Sequence, residues 1–318
     1  MTRFGYFLSG EELSPTDIVT TAQDAERAGF ERVWISDHYH PWLRAQGESP
    51  FVWSVLGAIA ATTRLEMTTA VTCPTDRIHP AVIAQATATV AAMAPDRFRF
   101  GVGTGEKLNE HILGQVWPPA DIRLARLEEA IEVIRKLWTG ETVTHEGAHY
   151  TVHAARIFSL PAQPPPILVS GFGPKATELA ARVGDGYITV QPDRELVDTY
   201  RKAGGSGVVQ GGVKICWAES EEEAAQTAYR TWGHQGVGGQ SAQELPGWTE
   251  FEALAEASSP ENMAKNVACG PDPQRAADEI QKYVDAGFDE VFISQMGPDQ
   301  RGGIRFLTEQ VLPLLTSR

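Results

Sequence analysis

Short apolar segments alternate with segments of helical period along nearly the whole chain, and this alternation limits the folds that the chain can adopt. Glycine and proline mark many of the changes: Ser14-Pro15 predicts a helix start and Gly29 a helix end. Predicted strands lie at 4–8, 32–36, 65–70, 98–102, 167–170, 187–190, 213–217 and 290–294. About eight strands, each tied to a helix, are the plan of a (β/α)8 TIM barrel, so we expect that α/β fold. A doubly wound open sheet is the alternative.

Two stretches interrupt the alternation. Residues 141–151 predict a small hairpin added to the scaffold. Residues 219–268 have a helical composition that is broken at 233–239 and at Pro246-Gly247, so they predict a helical insertion that carries part of a substrate wall. We expect a single barrel domain over residues 1–318 that contains this insertion.

The charge and cysteine content exclude several classes of protein. The net charge of −14 argues against nucleic-acid binding and against attraction to anionic membranes. Cys73, Cys216 and Cys269 are far apart in the sequence and match neither a disulfide framework nor a zinc pattern, so we expect no metal. No apolar run approaches the ~20 residues that span a bilayer. We expect a cytoplasmic protein that binds small molecules or other proteins.

The stretch that carries most chemistry is Ser36-Asp37-His38-Tyr39-His40-Pro41-Trp42, at the end of the second predicted strand. In α/β proteins, catalytic groups lie where such strands end. Asp37 can orient a neighbouring imidazole, and imidazoles such as that of His38 transfer protons near neutral pH. Trp42 offers an N–H donor and a flat apolar face. The alternative is a strand end whose polar residues only cap the next helix.

Residues 101–110 form a glycine-rich loop after the fourth predicted strand. Its glycines let the backbone approach a flat or phosphorylated ligand closely, and Glu106 could act as a general acid or base. The spacing matches neither a Walker A loop nor a dinucleotide fingerprint. A tight turn with surface charge is the alternative reading.

Two further strand ends give weaker signals. Residues 170–175 lead into a helix whose first turn contains Pro174, and a helix start of this kind can bind phosphate. Later loops of TIM barrels commonly bind phosphate. Cys73 follows the third predicted strand and is expected to pack as a small hydrophobe, because no base is adjacent in the sequence.

Taken together, these motifs resemble those of the luciferase-like, deazaflavin-dependent oxidoreductases. Within that family, the chain is similar to the branch that includes the glucose-6-phosphate dehydrogenases that use coenzyme F420. The resemblance runs nearly end to end and depends on Ser36-Asp37-His38 with Pro41-Trp42, residues 80–85, residues 101–106 with Asn109-Glu110, and Gly184-Asp185-Gly186.

The resemblance implies roles for individual residues. His38 and Glu106 would be the proton-transferring pair, Trp42 would lie against the reacting centre, and Asp37 would contact the deazaflavin. A cis peptide is implied between Ala70 and Val71, and related proteins imply a homodimer. The other implied cofactor contacts are Ala70, Val71, Cys73, Thr104, Gly105, Asn109, Phe172, Gly173, Lys175 and Ala176, and the implied substrate contacts are Val190, Asp193 and Asn266.

The chain departs from this branch where the substrate phosphate would bind. Two lysines and an arginine of the sugar-phosphate enzymes correspond here to Asp193, to about Ala242 and to Asn266. Each lost charge-assisted contact forfeits ~1.5–3 kcal/mol, so we expect no selection for glucose 6-phosphate.

The expected activity is therefore hydride transfer between F420 and a neutral alcohol or carbonyl substrate. An FMN-dependent reductase or monooxygenase of the same family is the main alternative. A barrel that has lost catalysis and only binds a cofactor is a second one.

Overall fold

Eight parallel strands close into a barrel in the computed structural model, which describes residues 2–236 and 240–316. The sixth strand pairs with the seventh, the seventh with the eighth, and the eighth with the first, so the sheet has no open gap. This closure confirms the expected (β/α)8 fold over the open sheet. The barrel strands are Arg3–Leu8, Arg32–Ile35, Glu66–Thr69, Phe98–Val102, Ile167–Ser170, Gly186–Thr189, Val208–Cys216 and Glu290–Gln295.

Helices surround the barrel, and several begin at residues that favour helix starts. Ser14 and Asp272 cap two of them with their side chains, and proline follows each cap. In the described residues, no helix has both the length and the apolar character needed to cross a membrane. The surrounding helices are Pro15–Arg27, Val52–Thr62, Pro80–Met93, Ala120–Leu137, Pro174–Val183, Arg194–Lys202, Pro273–Ala286 and Gln300–Phe306, the last continuing through a π-helical turn, Leu307–Val311, to Leu312–Thr316.

The seventh strand begins at Val208, five residues before the predicted start at 213. Gly211 and Gly212, which precede the predicted start, lie inside the strand. A Cβ atom on Gly212 would lie 2.5 Å from the Trp34 ring, and one on Gly211 would lie 2.6 Å from the Phe288 ring. These glycines therefore permit close packing and do not end the strand.

Additional elements interrupt the βα pattern near both predicted stretches. The hairpin strands Val143–Glu146 and Thr151–Ala155 extend a little beyond the predicted hairpin. Helices Glu221–Trp232, Trp248–Glu256 and Pro260–Asn266 lie in the predicted insertion, with the short helix Gln240–Glu244 and the 3-10 turn Gly233–Gly236. Residues 237–239 of the predicted break lie outside the described residues. The assignment of one domain with an insertion stays a prediction.

Side chains fill the barrel interior toward the ends at which the strands begin. An active site can therefore form only where the strands end. Trp34 stacks on Phe292 with ring centroids 4.6 Å apart and receives the edge of Phe7 at 5.6 Å. At the strand starts, the fully buried Glu290 carboxylate pairs with Arg3 and Arg99. The carboxyl ends of the strands therefore form the remaining opening.

Candidate active site

His38 lies between two carboxylates that follow the first and fourth barrel strands. Its Nδ1 is 3.3 Å from Oε1 of Glu11, and its Nε2 is 3.6 Å from Oε2 of Glu106. The structure thus brings His38 and Glu106 together. Sequence reasoning missed Glu11, although this residue follows the first strand much as His38 follows the second.

Glu11 is held as an oriented anion. Its Oε2 accepts hydrogen bonds of 2.8 Å from the Ser9 and Ser36 hydroxyls. Burial raises the pKa of Glu11, but the charge of His38 and these hydrogen bonds outweigh burial, so the pKa lies below its ordinary value. A fixed carboxylate at this position orients the His38 ring.

The pKa of Glu106 is shifted in the opposite direction to that of Glu11. Burial raises the pKa of Glu106 to about 7, the negative charge of Glu11 adds to this effect, and the charge of His38 opposes it. Its Oε2 is buried and has no hydrogen-bond partner. A carboxyl group with a pKa near the working pH can both give and take a proton, which suits general acid–base catalysis.

Trp42 is positioned by aromatic rings from the insertion. Its ring centroid lies 5.2 Å from that of His38, 4.8 Å from Phe251 and 5.2 Å from His234. Its backbone N–H donates to Oε1 of Gln46 at 2.8 Å. Trp42 therefore joins His38 to the insertion wall. No sequence pattern pointed to His234, which lies within the predicted glycine-rich break at 233–239.

Lys214 is a basic residue that interacts with the charges of Glu11, Glu12 and Glu106. Its Nζ lies 4.3 Å from the centroid of the Trp232 ring. Burial lowers the pKa of Lys214, and the charges of Glu11, Glu12 and Glu106 oppose this shift. Sequence reasoning missed Lys214, although a lysine inside an apolar strand was a usable signal.

Asp37, next to His38 in the sequence, is buried, and other side chains donate hydrogen bonds to its carboxylate. Oδ2 accepts from the Thr72 hydroxyl and Oδ1 from Nη2 of Arg77, both at 2.8 Å. Arg77 also lies 3.7 Å from the Glu110 carboxylate. Asp37 thus connects the second strand end to the third. The contact with the deazaflavin that the resemblance implied stays a prediction.

The third and fourth strand ends pack tightly against each other. The peptide bond between Ala70 and Val71 is cis, which confirms the expectation. A Cβ atom on Gly103 would lie 2.7 Å from the Val71 side chain, so only glycine permits this approach. Gly105 has a φ of +81° and lies against Cys73.

Cys73 and Asn109 stabilise these loops. Burial raises the pKa of the Cys73 thiol well above its ordinary value, and Sγ lies 2.8 Å from the Thr75 hydroxyl. A protonated buried thiol is a packing group and not a nucleophile. Oδ1 of Asn109 accepts from the Tyr39 and His40 amides at 2.8 and 3.1 Å. Thr104, one residue before Gly105, is half-buried.

The predicted phosphate site is an uncapped helix start. Gly173 is the N-cap of Pro174–Val183 and provides no side-chain cap, and a Cβ atom there would meet nothing within 4 Å. The first-turn amides of Lys175 and Ala176 are therefore available for an anion. The Lys175 ammonium pairs with Asp121 at 2.8 Å, and Phe172 is exposed.

The predicted substrate residues provide no positive charge. Oδ1 of Asp193 caps the helix Arg194–Lys202 by accepting from the Glu195 amide at 2.8 Å. Nδ2 of Asn266 donates to the Asn262 carbonyl at 3.0 Å. Val190 is exposed and Ala242 is half-buried. Across the described residues, no group of three or more His, Cys, Asp and Glu side chains could hold a metal ion.

Comparisons with known proteins identify the family to which the chain belongs. The sequence model of the luciferase-like monooxygenase family matches residues 2–290. An F420-dependent glucose-6-phosphate dehydrogenase of Nakamurella multipartita is 38% identical over 98% of this chain and 96% of its own length. One of Microbacterium testaceum is 37% identical over 99% of this chain and 98% of its own length.

Solved structures with a similar fold include F420-dependent enzymes. An F420-dependent secondary alcohol dehydrogenase in complex with an F420–acetone adduct has a TM-score of 0.89 and 29% identity, with 98% of both chains covered. A coenzyme F420-dependent tetrahydromethanopterin reductase from Methanopyrus kandleri, at 20% identity and a TM-score of 0.79 over 98% of this chain and 99% of its own, shows the fold alone. The chain belongs to the luciferase-like family and, within it, to the F420-dependent oxidoreductases.

Proposed function

We propose that the chain transfers a hydride between coenzyme F420 and a neutral alcohol or carbonyl compound. The observation that carries the proposal is the position of His38 between an oriented carboxylate, Glu11, and a carboxyl group with a pKa near 7, Glu106. Hydride exchange at a carbon that bears oxygen also requires a proton to enter or leave that oxygen. This arrangement provides groups for that proton.

The described residues fit the cofactor. The first turn of helix Pro174–Val183 has no side-chain cap to compete with a phosphate, and the backbone at Gly173 is open. The loop at 101–105 and the Ala70-Val71 segment would hold the deazaflavin ring. When bound, F420 supplies the hydride chemistry.

The side chains would divide the proton transfer between them. In alcohol oxidation, His38 takes the hydroxyl proton, and Glu11 stabilises the imidazolium that results. Glu106 holds or releases a second proton near neutral pH. Trp42, held on the insertion wall, places the carbinol carbon.

The residues at the expected phosphate-binding positions favour a neutral substrate over a phosphosugar. Two relatives with 37–38% identity are named glucose-6-phosphate dehydrogenases, and one structural neighbour is a secondary alcohol dehydrogenase. Asp193 and Asn266, which the resemblance places where the sugar-phosphate enzymes have a lysine and an arginine, are acidic and uncharged residues. This difference favours an uncharged alcohol or carbonyl substrate.

We also propose a cytoplasmic homodimer. Phe51, Val82 and Met93 are exposed apolar side chains along the groove between helices Val52–Thr62 and Pro80–Met93. An apolar surface of this kind commonly marks a protein interface. Light scattering would test the dimer, and Val82→Glu should yield monomers if this groove is buried between two copies.

The cofactor and the reaction can be tested in one series. The purified protein is titrated with F420 and with FMN, and then screened anaerobically with alcohols, sugars and aldehydes while deazaflavin absorbance is followed. F420 binding with turnover of an uncharged alcohol or aldehyde supports the proposal. Tight FMN binding without F420 binding would overturn it.

A further inference from the structure

A second imidazole, that of His234, is buried next to the candidate catalytic group. It lies on the 3-10 turn Gly233–Gly236 and is only 6% exposed. Its ring stacks on Trp42 at 5.2 Å and 21°, and packs against Phe251 at 5.5 Å and Trp232 at 5.7 Å. Three aromatic rings thus fix the orientation of His234.

Trp42 separates this imidazole from the catalytic one. The ring centroids of His38 and His234 each lie 5.2 Å from that of Trp42, so the two imidazoles are at most twice this distance apart. A small organic molecule whose reacting carbon faces His38 can therefore place a second functional group, a few bonds away, near His234.

Nδ1 of His234 is buried and has no hydrogen-bond partner. Leaving a buried polar atom unpaired costs ~1–3 kcal/mol, and most such atoms in proteins are paired. Nδ1 of His38 and Oε2 of Glu106 also make no hydrogen bond, but each faces an ionisable partner, at 3.3 Å in Glu11 and at 3.6 Å in the His38 ring. Nδ1 of His234 has no such partner, so a ligand is the group that would satisfy it.

The charge state of His234 limits the kind of ligand. Burial lowers the pKa of His234 to about 3, and the positive charges of Lys214 and His38 add to this effect. The ring is therefore neutral at physiological pH, with one N–H donor and one acceptor nitrogen. It can bind a hydroxyl or carbonyl group but provides no charge for a phosphate.

We infer that His234 is a specificity-determining residue, whose Nδ1 hydrogen-bonds a second uncharged hydroxyl or carbonyl group of the substrate. The inference rests on the proposed function and narrows its substrate class to alcohols with a second oxygen function, such as diols and hydroxyketones. The packing on Trp42 keeps this contact at a fixed distance from the reacting carbon.

Two substrates that differ by one hydroxyl group test the inference. Pentane-2,4-diol and pentan-2-ol are compared in F420 reduction by the wild type, His234→Phe and His234→Asn. Phe keeps the aromatic stacking and removes Nδ1, whereas the Asn amide retains a polar group near the Nδ1 position.

We expect the wild type to prefer the diol. His234→Phe should lower the diol/mono-alcohol ratio of kcat/KM about tenfold, mainly through the KM of the diol, and His234→Asn should recover part of it.

Other outcomes separate this inference from the proposed function. Equal losses on both alcohols would mean that His234 only supports Trp42, and no preference of the wild type for the diol would also contradict the inference. Turnover of pentan-2-ol tests the proposed function by itself. If neither alcohol reacts, their binding to the F420-loaded protein is measured by tryptophan fluorescence, and equal or undetectable binding of the two alcohols rejects the role of His234.

Discussion

Nε2 of His38 lies 3.6 Å from Oε2 of Glu106, which brings together side chains from the ends of the second and fourth barrel strands. Burial raises the pKa of Glu106 to about 7, so a proton can occupy this carboxyl group near the pH at which an imidazole also exchanges protons. The pair is close enough to exchange a proton through a small movement or a substrate oxygen.

Removing either member of this pair should affect turnover far more than cofactor binding. We expect His38→Ala and Glu106→Gln each to lower kcat by ~100–10,000-fold, the usual contribution of a general acid or base. F420 affinity, followed by fluorescence titration, should change much less. Near-normal turnover of a confirmed substrate by either variant would show that its role is misassigned.

Glu106 should also make the wild type less stable as the pH rises. Its pKa is raised from 4.5 to about 7 on folding, so the folded state binds more protons than the unfolded state between these values. Stability then falls with rising pH across this window. The free energy of unfolding of Glu106→Gln, measured relative to that of the wild type at the same pH, should therefore rise by roughly 2–3 kcal/mol from pH 4.5 to pH 7.5. Above pH 7.5 this difference should level off.

Urea denaturation at a series of pH values would measure this effect, with the wild type and the variant compared at each pH. Glu106→Asp is the control because it retains an ionisable carboxyl group. A constant difference between Glu106→Gln and wild type across the window would contradict the assigned pKa shift of Glu106.

The sequence predicted the barrel because local patterns determine most of it. Strand ends were mostly correct to within two residues, because apolar runs and helix caps are local signals. The start of the seventh strand was wrong because Gly211 and Gly212 pack against aromatic rings that are distant in sequence. A single sequence does not display such contacts.

The site was predicted less completely. His38 and Glu106 lie at strand ends that the alternation located, and the same rule applied to Glu11 would have found it. Lys214 was visible as a cation in an apolar strand. His234 reaches the site only through the folding of the insertion, so its role depends on tertiary packing.

The phosphate-bearing part of F420 should bind at the start of helix Pro174–Val183. Asp in place of Gly173 should weaken F420 binding about tenfold, because its carboxylate would repel the phosphate and accept from the first-turn amides itself. Asp is a good N-cap, so the variant should be at least as stable as the wild type.

Gly173→Ala is the matched control, since an added Cβ atom meets nothing within 4 Å. Fluorescence titration with F420 and thermal unfolding of the protein without cofactor would be compared for both variants. Unchanged F420 affinity in Gly173→Asp would mean that the phosphate lies elsewhere.

Glucose 6-phosphate should be a poor substrate despite the names of the relatives. Asp193 repels a phosphate dianion, and neither Asn266 nor Ala242 offers a cation to it. The combined change Asp193→Lys with Asn266→Arg should therefore raise kcat/KM for glucose 6-phosphate by roughly tenfold for each restored charge.

Asp193→Asn is the control, because it removes the negative charge and keeps an N-cap for helix Arg194–Lys202. Steady-state assays would compare the phosphosugar with an uncharged alcohol. A wild type that prefers glucose 6-phosphate would mean that another cation, such as Lys175 or Arg194, holds the phosphate.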